Sequence, residues 1–144
     1  MQHALAVVTV VVVGLLVGVE FAVAVFVNPI VDGLPHNSGL VARSSGARLL
    51  GRVMPFWYIG SVLLAGTWAG VAAKPVAGVA AGLLVLSVLM SVALLVPINS
   101  RAAQWTPETA PADWREQLGR WDRLHYVRVA VIVTSFVLLV LALA

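Results

Sequence analysis

Polar residues in this chain come in blocks, and between the blocks lie four nearly uninterrupted apolar runs. The runs cover 4–27, 53–73, 76–96 and 126–144, which is 24, 21, 21 and 19 residues. As helices, each is long enough to cross a hydrocarbon core about 30 Å thick at about 1.5 Å rise per residue. None has the 3.6-residue alternation of a helix with one wet face, so the runs are expected to be apolar all round. One charged residue, Glu20, stands well inside a run. The pattern predicts an all-α integral membrane four-helix bundle, residues 1–144 forming a single domain. Ala22-Val23-Ala24 has the form of a signal-peptide cleavage site, but Met1-Gln2-His3 supplies no basic segment and the apolar stretch is too long, so a retained span is expected.

The connections are unequal. Lys74 and Pro75 alone separate the second and third runs, which makes these an antiparallel hairpin. The other two connections, 28–52 and 97–125, have 25 and 29 residues, long enough to carry function and to contain short helices. Four spans put both on one side of the membrane and the termini with Lys74 on the other. Asn28-Pro29 and Asp32-Gly33-Leu34-Pro35 read as turns, and residues 39–52 as an interfacial helix. Thr106-Pro107-Glu108 reads as a capped helix start, and residues 112–125 as a helix running into the fourth span.

Composition sharpens this picture. The chain is 61% hydrophobic and only 10% charged, too little charge for the surface of a soluble domain. Nine basic residues stand against six acidic ones, but they adjoin apolar runs, and no solvated basic domain remains to bind nucleic acid. Arg43, Arg48, Arg52, Arg101, Arg115, Arg120 and Arg123 all fall in the long connections. The positive-inside rule then makes that side cytoplasmic and the termini external. With no cysteine, disulfides and thiolate metal sites are excluded. Glycines four apart, Gly14/Gly18, Gly66/Gly70 and Gly78/Gly82, suit close helix contact in lipid, either within a compact bundle or in a homo-oligomer.

The candidate chemistry gathers at the long-connection side. Glu20 lies about 12 Å below it at helical rise, and an intramembrane carboxylate reads as a proton-handling or ligand-binding group or, alternatively, as a structural carboxyl bonded to a neighbouring helix. Trp121, His125 and Arg128 are spaced four and three, so they share one helix face, with Trp114 a heptad before. Such a stripe can stack on, deprotonate and charge-stabilise a planar aromatic acid, although Trp and Arg are also ordinary residues of membrane interfaces. Asn28 and Asn99 stand beside Pro29 and Pro97 at the ends of the first and third runs, where a proline also reads as a helix stop. Metal binding has little support: folding could assemble a set of His36, His125 and Glu20, but there is no local pair among them.

The segment Val96-Pro97-Ile98-Asn99, followed by Trp114 and then Arg120-Trp121-Asp122-Arg123-Leu124-His125-Tyr126-Val127-Arg128, resembles the bacterial branch of the anthrone oxygenase-like family of small four-helix membrane proteins. The resemblance implies oxidation of a lipophilic aromatic, an anthrone-like polyketide, by molecular oxygen, and it points to Asn99, Trp121, His125 and Arg128. On this reading His125 is the base, Arg128 with Asn99 or Asn28 holds the enolate oxygen, and Trp121 or Trp57 stacks on the rings. Arg52 is a further candidate for binding. Direct reaction of an enolate with oxygen requires no cofactor, although a transition metal through His125 would turn that base into a ligand. Other readings are a small proton-coupled exporter using Glu20 and an assembly partner held by its glycine faces.

Overall fold

The computed structural model describes residues 1–144 as four helices, each long and apolar enough to cross a membrane: α1 Gln2–Asp32, α2 Ser38–Ala72, α3 Pro75–Ala102 and α4 Trp114–Leu143. They form a ring in which each helix packs on its two neighbours, with α2 and α4 both lying against α1 and α3. A left-handed residue, Ala73, ends α2, and Pro75 opens α3 where its missing N–H costs nothing. Lys74 donates from Nζ to the Ala142 carbonyl (2.8 Å), placing a cation at the carbonyl end of α4.

The helices run well past the apolar runs, and the connections shrink accordingly. Residues expected to form a 25-residue first connection are mostly helix: α1 continues through Asn28-Pro29 to Asp32, and α2 begins at Ser38. The interfacial helix expected at 39–52 is the opening part of α2. The five-residue turn is tight, with His36 left-handed and the backbones of α1 and α2 almost touching. A Cβ on Gly39 would lie 2.9 Å from the Val31 carbonyl oxygen, so glycine is required there. In the other connection, Thr106-Pro107-Glu108 forms a turn closed by Ala110 N–H to Thr106 O (2.9 Å), and α4 starts only at Trp114. Both connections lie on one side, tied by Ser44 Oγ–H to the Trp105 carbonyl (3.0 Å).

Close packing in the bundle is made by alanine and serine. Ala6, Thr9, Ser61, Ala65, Ala77, Ala80, Ser87 and Ser135 are buried between larger side chains such as Leu16, Leu84, Ile132 and Leu139. The glycine pairs do not do this work. A Cβ on Gly14 would meet the Phe136 ring, but Gly18, Gly66, Gly70, Gly78 and Gly82 have nothing within 4 Å. Of the six, only Gly14 is needed for close packing in the bundle.

Candidate functional site

Both proline positions expected to stop helices instead lie within them, each preceded by a π-helical turn: Val23–Val27 before Pro29 and Ser91–Leu95 before Pro97. Such a turn adds a residue to the helical repeat and accommodates the proline ring, and it is frequent at functional sites. The buried polar cluster lies beside these two turns.

At its centre are Glu20 of α1 and Arg128 of α4, 3% and 8% exposed. Arg128 Nη2 donates to both carboxylate oxygens at 3.0 Å, and Nη1 donates to Ser91 Oγ of α3 (2.9 Å). The same Nη2 lies 3.0 Å from His125 Nδ1. A guanidinium only donates, so Nδ1 accepts and the ring proton sits on Nε2, which donates to the Glu20 backbone carbonyl at 3.1 Å. His125 is wholly buried, with both nitrogens engaged and Trp121 stacked on its face at 4.6 Å. The histidine expected to serve as base therefore has no free lone pair, and it does not line the cavity that its partners Glu20 and Arg128 face.

Glu20 and Arg128 do face one. A cavity of about 250 Å³ lies between α2 and α3, with a polar inner end formed by Glu20, Tyr58, Ser91, Asn99, Trp121 and Arg128. Its sides are Leu50, Met54, Ile59, Val88, Val92 and Leu95. The large exposure of Ile59 and Val92 shows that it opens sideways, toward the lipid. Tyr58 Oη, Trp121 Nε1 and Arg128 Nε are buried without a hydrogen-bond partner, an accumulation of unmet polar groups that a ligand or water would satisfy.

Of the remaining expected residues, Asn99 and Trp121 line this cavity, and both also border a smaller one of about 70 Å³ with Asn28 and Arg43. Asn28 is not at the larger cavity; its amide donates to Asp122 Oδ1 (3.0 Å). Trp57 does not line it either, because its indole donates to the Val12 carbonyl (3.1 Å) and pins α2 to α1. Arg52 is exposed next to Gly51 and is absent from the wall. The three-ligand metal set does not assemble, since His36 lies in an outer polar cavity with Asp32, Trp114, Arg115 and Asp122, separate from Glu20 and His125.

Several participants were not singled out in the sequence. Tyr58 sits one residue from Trp57, and without periodicity nothing tells which of the two faces inward. Arg43, read as an orienting charge, is buried and bonds Asp122 Oδ1 at 2.7 Å, with Asp32 at 3.7 Å. Ser91 carries no distinctive sequence signal.

Four helices long and apolar enough to cross a membrane, enclosing one internal ionisable site beside a lateral cavity, define a multi-pass membrane protein. The anthrone oxygenase family profile matches residues 43–138, two-thirds of the sequence, and the chain belongs to that family. A membrane oxygenase-like role follows at the level of the family. The matched segment holds Asn99, Trp121, His125 and Arg128, while Glu20 and Asn28 lie before it. No curated protein and no solved structure matches the chain.

Proposed function

We propose that this protein oxidises a lipophilic, anthrone-like aromatic with molecular oxygen, the substrate entering between α2 and α3 from the bilayer. The observation that carries this reading is the lateral cavity ending on the Glu20–Arg128 pair, where apolar walls adjoin one acceptor and one fixed positive charge. The central methylene of an anthrone is acidic because its carbanion is an aromatic enolate. On this reading Glu20 takes that proton and Arg128 holds the enolate oxygen. Trp121 supplies an aromatic edge to the wall.

The chemistry balances with oxygen alone. The enolate gives its electron pair to dioxygen, a C–O bond forms, and the peroxide takes a proton. Loss of water then breaks the O–O bond and the second C–H bond, leaving the ketone. On this reading no further cofactor is required. His125 acts through Arg128: its Nδ1 holds the guanidinium while its Nε2–H grips α1 at Glu20, so it is a positioning residue.

The exporter reading needs a polar path across the bilayer. Toward the termini, the core beyond Arg128 consists of Val13, Leu16, Ala80, Leu84, Ile132 and Leu139, with only isolated hydroxyls between them. Substrate-dependent oxygen uptake by the purified protein with an anthrone tests the proposal. Glu20→Gln should lower turnover by roughly 10²–10⁴-fold, the contribution of a positioned base. Absence of uptake in the wild type, or uptake indifferent to Glu20→Gln, would reject it.

A further inference from the structure

Helices α1 and α3 carry the same backbone device at the same offset from a proline. After each π-helical turn, the next N–H reaches back five residues: Asn28 to the Val23 carbonyl, and Val96 to the Ser91 carbonyl. The following carbonyl, Ala24 in α1 or Val92 in α3, would take its donor from that same N–H or from the next residue. The first is already committed, and the second is Pro29 or Pro97, which has none. Both carbonyls therefore lose their helical partner, in a setting where no bulk water can replace it.

In α1 the vacancy is filled from within the protein: the Tyr126 phenol donates to the Ala24 carbonyl at 2.8 Å. In α3 no side chain reaches the Val92 carbonyl, and Val92 lies in the wall of the lateral cavity, two residues from Met90 and one from Ser91, whose hydroxyl holds Arg128. We propose that the Val92 carbonyl is a ligand subsite that accepts a phenolic hydroxyl hydrogen, as Ala24 accepts that of Tyr126. This deepens the proposed function and rests on its reading of the cavity as the substrate site: the aromatic that binds there carries a hydroxyl at the edge facing α3. Pro55 likewise removes the donor that the Gly51 carbonyl of α2 would take, and Gly51 lies on the facing wall, so the test must separate the two.

The test is equilibrium binding to the purified full-length protein in detergent, read by quenching of tryptophan fluorescence at one micelle concentration. The probes are 2-hydroxyanthraquinone, 2-methoxyanthraquinone and unsubstituted anthraquinone. Wild-type protein should bind the hydroxyl compound about tenfold tighter than the parent, a factor in the range of one net hydrogen bond. The methoxy compound, with the oxygen but no hydrogen to give, should show no such gain. Pro97→Ala supplies an N–H beside the freed carbonyl and should reduce the preference to about twofold or less on the same scale. Pro29→Ala should leave it intact. Equal binding of hydroxyl and parent compounds, equal gain from the methoxy group, or full preference surviving in Pro97→Ala would each overturn the subsite. Should Pro97→Ala not fold, Pro55→Ala decides: a preference that survives it keeps the Val92 subsite, and a preference that it abolishes assigns the hydroxyl to the Gly51 carbonyl and overturns the subsite. Turnover is not read, so an inert protein that keeps the preference retains the subsite and loses the oxygenase reading, and an active one without it does the reverse.

Discussion

Arg128 is held from three helices: by Glu20 of α1, Ser91 of α3 and His125 of its own α4, one turn away. Removing either member of such a buried pair leaves an uncompensated charge, so Glu20→Ala should destabilise the folded protein by about 3–5 kcal/mol. Glu20→Leu combined with Arg128→Met should recover much of that loss in denaturant unfolding while remaining inactive; a double variant less stable than both singles would contradict the pairing. Arg128→Lys should also be costly to turnover, because one ammonium cannot reproduce a planar fork that reaches Glu20, Ser91 and His125 together. His125→Ala removes a wholly buried ring with two hydrogen bonds and should cost about 1–3 kcal/mol as well as activity. The residues most legible in the sequence were those costly to place in lipid: Glu20 stood out as an internal charge, and Arg128 by its spacing from Trp121 and His125. Tyr58 and Ser91 were not legible, because nothing in an all-apolar helix marks the inward face.

At the scale of the element, proline had two readings, and local sequence could not choose between them. Pro29 and Pro97 look like stops, yet α1 and α3 continue beyond each, because a π-helical turn makes room for the ring. The tight joint between α1 and α2 depends instead on Gly39. A side chain there would press on the Val31 carbonyl, a backbone atom that cannot swing aside. Gly39→Ala should therefore destabilise by about 1–3 kcal/mol, the usual cost of overpacking, measured by thermal unfolding in detergent. Gly66→Ala, with open space around it within the bundle, should leave the monomer's stability nearly unchanged.

For the whole molecule, the arginines of the connection side remain largely outside the bundle: Arg48, Arg52, Arg101, Arg115, Arg120 and Arg123 are exposed, and only Arg43 of that set is buried. If this asymmetry sets orientation, Ala112→Cys will be shielded from an impermeant thiol reagent in intact cells, and Ala144→Cys will react. The chain has no native cysteine to confuse the labelling, and the reverse pattern would invert the orientation without altering the four helices. The sequence by itself determined the four spans, the hairpin at Lys74-Pro75 and the side on which the polar chemistry collects. Those depend on length and hydropathy, which are local sums over residues and need no partner. Only the tertiary structure decided that Glu20 meets Arg128, that His125 is sealed behind them, that Trp57 serves packing, and that the cavity opens between α2 and α3. In helices apolar on every side, sequence periodicity carries no rotational phase, so which residues face one another depends on small side chains packing across the whole ring.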